Sequence, residues 1–337
     1  MVDLSTEYLG LKLKNPIVVS STPLSDSMQN IHRMEDCGAA AIVLASLFEE
    51  QISLESRALD SDLSRGTESF AESLTYLPEF ADYRQGQDTY LGHLTRVKGH
   101  CSLPVLGSIN GATPGGWVNF AREIEYAGAD AIELNTYSLA TDAAIPANEV
   151  EQGLLDLVRQ VRASVRIPIA VKLSPQFTSI PHLVRQLELA GADAVVLFNR
   201  FYQPDFDIEN LNVIPRLSFS RPEELLLRLH WTAILFTQTN CDLAITGGVH
   251  SAEDILKSVM AGAQVAMMSS SLHLYGIEHI DSVLTDLVQW MEKHEYESIR
   301  QMRGSLSRRA VPDTSAFERG NYIKTLSSYT LRQPNPF

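Results

Sequence analysis

Cysteine is scarce in this chain. Cys37, Cys101 and Cys241 are the only three, they lie far apart, and no C-x-x-C occurs. An odd, scattered set argues against a disulfide framework, structural zinc or a cysteine-held iron–sulfur cluster, and reads as three free thiols. The nine histidines form no H-x-x-x-H or H-E-x-x-H pattern, so no metal site is expected. Positive charge is also short: 27 Lys and Arg stand against 41 Asp and Glu, a net charge of −14. An acidic surface disfavours non-specific binding to nucleic acid or anionic membrane, without excluding an anionic ligand in a locally positive pocket. No apolar run approaches the roughly 18–20 residues that span a bilayer. The opening M-V-D-L-S-T-E-Y has neither the basic nor the apolar segment of a signal peptide. These absences lead us to expect a cytoplasmic protein that acts on a small molecule, with no nucleic-acid partner and no membrane insertion.

What the chain does have is a recurring phrase. Residues 127–138 read A-G-A-D-A-I-E-L-N-T-Y-S, residues 37–46 C-G-A-A-A-I-V-L-A-S, residues 190–199 A-G-A-D-A-V-V-L-F-N and residues 261–270 A-G-A-Q-V-A-M-M-S-S. Each is a helix end, a Gly-Ala hinge, a short apolar strand and then polar residues. Repeated helix-to-strand units with short turns are the mark of a parallel sheet with alternating helices. Spread over most of the chain, they predict α/β architecture, a single (β/α)8 TIM barrel with an N-terminal β-hairpin and long βα loops. Barrel strands are expected at 16–20, 40–45, 104–109, 130–134, 167–173, 193–197, 242–245 and 264–268. Residues 1–310 form the barrel, and 311–337 form a loosely structured tail. A polar stretch at about 47–87 is too long for an ordinary βα loop and reads as a lid or substrate-binding insertion, or as a solvated excursion. A second long loop is expected over 201–220.

Chemistry in such a barrel collects at the carboxyl ends of the strands. The seventh strand ends in Thr246-Gly247-Gly248 and the eighth in Ser269-Ser270-Ser271. Loops after these two strands commonly hold a phosphate, with glycines admitting backbone N–H groups and serines adding hydroxyl donors. Lys172 ends the apolar run A-V-K-L. It faces either the barrel mouth or the outer helix layer, and reads as a cation beside an electron-rich ring, a Schiff-base amine or a snorkelling structural lysine. Asn135 and Asn199 end two further strands; an amide suits an imide-like ring edge, although asparagine is also a common turn residue. Ser20 and Ser21 end the first strand with small side chains on which a flat cofactor can lie. Ser138, three residues after Asn135, is either a loop hydroxyl or a base.

The segments N-P-I-V-V-S-S, E-L-N-T-Y-S, A-V-K-L-S-P, V-L-F-N, I-T-G-G-V-H-S-A-E-D and A-G-A-Q-V-A-M-M-S-S-S-L, in order over most of residues 4–307, resemble the dihydroorotate dehydrogenase family. The resemblance implies an FMN-binding barrel that oxidises a dihydropyrimidine such as dihydroorotate to orotate, with hydride passing to FMN. Gly247, Gly248, Ser269 and Ser270 would then hold the FMN phosphate. Lys172 would contact the flavin, Ser20 and Ser21 would pass beneath it, and Asn135 would lie beside flavin and substrate. Asn199 would touch substrate and Ser138 would be the base. A homodimer and a redox partner protein are compatible with the same resemblance. The departures concern substrate recognition: the family's lysine near the end of strand two falls on Leu44, and its second loop asparagine on Ala140. Three further readings stay open: an FMN oxidoreductase for another small substrate, a non-catalytic flavoprotein subunit, and a Schiff-base lyase built on Lys172.

Overall fold

The computed structural model describes residues 2–49, 87–111, 114–137 and 139–330. The polar insertion falls almost wholly outside the described residues, and Ser138 does so too. Strands β1 (Thr6–Tyr8) and β2 (Leu11–Leu13) form the expected antiparallel hairpin. Leu9 and Gly10 turn it, both with positive φ. Barrel strand β3 (Ile17–Val19) follows, then helix α1 (Met28–Asp36), β4 (Ala41–Val43) and a two-residue strand β5 (Leu47–Phe48). Helix α2 (Gln87–His100) leads to β6 (Val105–Asn110), α3 (Pro114–Tyr126), β7 (Ala131–Asn135) and α4 (Ala147–Ser164). Next come β8 (Ile169–Leu173), α5 (Ile180–Ala190), β9 (Ala194–Leu197), and a small hairpin of β10 (Asp205–Asp207) and β11 (Asn212–Ile214). The circuit ends with α6 (Leu225–Leu235), β12 (Asp242–Thr246), α7 (Ala252–Ala261) and β13 (Val265–Met268).

Eight parallel strands close on themselves in the order β3, β4, β6, β7, β8, β9, β12, β13 and back to β3. This is the (β/α)8 barrel that the repeats predict. Each Gly-Ala hinge has the same cause: Gly38, Gly128, Gly191 and Gly262 end their helices at positive φ, which glycine adopts without steric cost. The strands that follow are buried on both faces and so are almost continuously apolar. Their alternate residues serve two cores. Ile132, Leu134, Val171 and Leu173 pack outward against the helices, whereas Ala131, Ala170, Val196, Ala244 and Met267 pack inside the barrel. The hairpin contributes Tyr8, Leu9 and Leu13 to the interior cluster, where small alanines give them space.

The second long loop is more ordered than expected, because it contains the β10–β11 hairpin. The C-terminal stretch also departs from the expectation. After the short helix α8 (Ser270–Tyr275), the long α9 (His279–Lys293) and the short α10 (Ile299–Met302), a 3-10 turn at Thr314–Phe317 leads into α11 (Arg319–Thr330). Asp313 caps the turn through Ser315 N–H and pairs with Lys324, while Arg308 pairs with Glu318. Side chains of α11 are exposed nearly all round, so no apolar stripe marks it in the sequence.

Candidate functional site

Period-2 alternation decides which strand residues meet inside the barrel. Ala131, Glu133 and Asn135 share the inner face of β7, and Ala170 and Lys172 that of β8. Above Val18 stands Ser20, above Leu106 Ser108, above Ala244 Thr246 and above Met267 Ser269, all by the same spacing. At the carboxyl ends of the strands Ser20, Asn135, Lys172, Thr246 and Ser269 face a cavity of about 470 Å3. Its lining includes Ser20, Ser21, Asn135, Lys172, Asn199, Gly247, Gly248, Ser269 and Ser270. The structure therefore brings together every site residue expected from the sequence except Ser138, which lies outside the described residues. Its neighbour Tyr137 lines the same cavity.

Lys172 does not snorkel to the outer layer. It is 8% exposed, and its Nζ lies 3.4 Å from Oε1 of Glu133, which is fully buried one strand away. Glu133 Oε2 has no hydrogen-bond partner among the described residues, and neither has the buried Tyr8 hydroxyl. Burial, helped by the charges of Glu133 and Asp242, pushes the Tyr8 phenol well above its ordinary 10.0. An ion pair in the barrel interior thus stands directly beneath the cavity floor.

Ser46 is a junction that the strand-end reading passed over. Its Oγ lies 2.7 Å from Ser108 Oγ and 3.2 Å from Ser21 Oγ, and accepts from Asn135 Nδ2 at 3.2 Å. With Nδ2 so engaged, the buried Asn135 Oδ1 has no partner among the described residues. Asn199 donates from Nδ2 to the Lys172 carbonyl at 3.3 Å, and its own backbone N–H bonds the Leu173 carbonyl. Leu44, where the family's lysine was placed, packs in the outer core instead; Ala45 and Ser46 are the residues there that reach the cavity. Ala140 lines a neighbouring cavity of about 420 Å3 beside α4 and is absent from the first.

At the opposite end Ser220 ties the last two strand ends together. Its N–H donates to Ser270 Oγ at 3.0 Å, its Oγ accepts from Gly248 N–H at 3.1 Å, and its carbonyl accepts from His250 Nε2 at 2.9 Å. Ser271 turns inward and donates to the Val249 carbonyl. Gly247 and Gly248 have φ of +88° and +82°, so the turn requires glycine at both. A Cβ on Gly248 would stand 2.5 Å from the Leu225 backbone nitrogen, and one on Gly247 2.9 Å from Arg228 Nη2.

The fold and this constellation define an α/β-barrel enzyme. One end of its cavity carries glycine and hydroxyl groups suited to an anion, and the other carries amides and an ion-paired lysine. A family model described as dihydroorotate dehydrogenase matches residues 81–291, more than half of the chain. The chain belongs to the dihydroorotate dehydrogenase family, whose members are oxidoreductases acting on CH–CH groups. Curated relatives include the catalytic subunit of dihydroorotate dehydrogenase B (NAD(+)) from Thermoplasma acidophilum, 24% identical over 90% of this chain and 99% of the relative. The same-named proteins of Thermoplasma volcanium and Methanocaldococcus jannaschii are 25% and 22% identical, over 90% and 86% of this chain and 98% and 94% of their own lengths. Among the described residues no helix is long and apolar enough to cross a membrane, and no group of His, Cys, Asp and Glu could hold a metal ion.

Proposed function

We propose that this protein is an FMN-dependent oxidoreductase that converts a dihydropyrimidine such as dihydroorotate to orotate. The observation that carries the reading is the cavity's two-ended chemistry. Gly247, Ser269 and Ser270 follow the adjoining strands β12 and β13, and Asn135, Lys172 and Asn199 stand on or just after β7, β8 and β9. The residues suit the cofactor: Asn135 Oδ1 is a buried acceptor without a partner among the described residues, ready for the N–H of an imide-like ring. Gly247, Gly248, Ser269 and Ser270 would hold the phosphate, Lys172 would meet the flavin's electron-rich edge, and Ser20 and Ser21 would support its face. When bound, the flavin supplies a two-electron acceptor for hydride. Asn135 and Asn199 orient the substrate's amide groups, and Ser138 removes the proton from the carbon adjacent to the one that loses hydride. The reaction needs a final electron acceptor outside this chain. The catalytic-subunit names of the relatives support a partner protein in that role.

A Schiff-base lyase fits less well. Lys172 is half of an ion pair with Glu133, an arrangement made for an ammonium, whereas imine formation needs the free amine. The test begins with the visible spectrum of the purified protein and identification of any released chromophore. Oxidised-flavin bands from FMN, bleached anaerobically by dihydroorotate, are the expected result. FMN without bleaching would move the reading to another substrate or to a non-catalytic flavoprotein subunit. A colourless protein that takes up no added FMN overturns it.

A further inference from the structure

The chain carries a net charge of −14, yet the flank of its cavity is positive. Arg228 on α6 is 5% exposed, an unusual place for a cation without a dedicated partner. Its Nε donates to the Thr246 carbonyl at 2.9 Å and its Nη1 to the Glu224 carbonyl at 2.7 Å, so it clamps the end of β12 to the start of α6. Its Nη2 packs against Gly247. Arg200, just beyond β9, the strand that pairs with β12, lines the cavity. It grips Glu224 with Nε and Nη2 at 3.2 and 3.0 Å, and its buried Nη1 has no partner among the described residues. Arg228 Nη2 lies 3.9 Å from the same carboxylate. Among the described residues no other carboxylate is ion-paired with either arginine. Two guanidinium groups therefore share one glutamate, and the cluster keeps one uncompensated positive charge. Burial draws the Arg228 guanidinium below its ordinary range; Glu224 opposes that shift and the charge of Arg200 adds to it. Lys172, the other cation in the cavity lining, is matched by Glu133.

We propose that the Arg200–Glu224–Arg228 cluster is the electrostatic seat of the cavity's anion-binding end, its spare positive charge set behind Gly247 to hold the phosphate of the bound cofactor. The proposal rests on the FMN reading and adds residues that neither strand end supplies. A hydroxyl-and-glycine cradle alone offers neutral donors; a dianion in a partly buried site is held far better against a net cation. Arg228 and Glu224 act as positioning residues through the Thr246–Gly248 turn, and Arg200 acts at the cavity wall.

The experiment measures the affinity of deflavinated protein for FMN and for riboflavin, which lacks the phosphate, by quenching of flavin fluorescence. The ratio of the two affinities is the readout. Arg200→Gln and Arg228→Gln should lower that ratio by roughly ten-fold or more, the scale of one unit charge in a partly buried site. Glu224→Gln, which leaves both cations uncompensated, should raise it. Arg228→Lys keeps the charge while losing the clamp, so it should weaken both flavins together and preserve the ratio. A merely structural role for Arg228 predicts equal losses for FMN and riboflavin in all its variants. If Arg228→Gln fails to fold, Arg200→Gln and Glu224→Gln carry the test. Wild-type protein that binds FMN, with ratios unchanged in these two, overturns the cluster's role alone. Wild-type protein that binds neither flavin overturns the FMN reading and the cluster's role with it.

Discussion

Lys172→Met is the perturbation whose size follows most directly from the structure. Nζ of Lys172 is the only ion-pair partner of Glu133 among the described residues, and Glu133 is fully buried with Oε2 already unpartnered. Removing the lysine leaves a carboxylate inside the barrel with neither charge nor hydrogen bond to compensate it. Breaking a buried pair from one side costs about 3–5 kcal/mol. With an unfolding entropy of about 2.1 cal/mol/K per residue, the 337-residue chain should lose about 4–7 °C in Tm. The double substitution Glu133→Leu with Lys172→Met replaces the pair by apolar side chains of similar size and should recover most of that loss, because the desolvation of both charges disappears as well. Flavin binding should not recover, since Lys172 is absent from both variants. Thermal melts of flavin-free protein, together with flavin content after purification, separate the two effects. If the double variant melts as low as the single one, the two residues are not coupled and the reasoning from the buried pair fails. If flavin content is normal in the double variant, Lys172 is not a flavin contact.

Gly248→Ala should be more harmful than Gly247→Ala. Both need φ near +85°, but the added methyl at Gly248 meets the Leu225 backbone, while at Gly247 it meets a guanidinium that can shift. The positive φ alone costs roughly 1–2 kcal/mol, so a denaturant midpoint that falls less for Gly248→Ala would contradict the packing argument. Ser138→Ala should retain FMN while slowing substrate oxidation by about 10²-fold or more; equal rates in stopped-flow reduction would remove Ser138 as the base. His230, flanked by Trp231 and Phe317, is held below the ordinary 6.5 by burial. Its lowered value means that the unfolded chain binds the proton more readily. Stability should therefore decline as pH falls below about 6.5, the ordinary histidine range, and His230→Gln should flatten that decline in urea titrations at pH 7 and pH 5.

The parts of this molecule that were legible in advance are those that repeat. Gly38, Gly128, Gly191 and Gly262 mark helix ends because an L side chain resists their φ, and the apolar runs after them are short because barrel strands are short. From that frame the strand-end residues Ser20, Asn135, Lys172, Asn199, Gly247 and Ser270 could be named without coordinates. The face that Lys172 occupies could not. A strand buried on both sides has no polar alternation to betray its orientation, and only the register with Ala170 and Glu133 settles it. Glu133 did leave a signal, as the one charge in A-I-E-L-N and two residues before Asn135. Ser46 also left one, because it closes its copy of the repeat in the position that Asn199 and Ser270 close theirs. Arg228 left a third: the buried positions of α6 are Leu225, Arg228, Thr232, Ala233 and Leu235, so the arginine falls on the apolar stripe. Ser220 left none, since its three hydrogen bonds join chain segments far apart in sequence. The missed residues share one property: each supports a residue that was found. Glu133 pairs with Lys172, Ser46 holds Asn135, and Arg228 and Ser220 brace the Gly247–Gly248 turn. In a closed barrel the side chains that bear on a ligand sit at strand ends, where the repeat exposes them. Of those that fix their geometry, Glu133 lies one layer below and Arg228 on a neighbouring helix, where the local pattern is dominated by burial and a polar residue looks like an exception to it, while Ser46 and Ser220 sit in the loops at the cavity itself, among polar residues of the same kind.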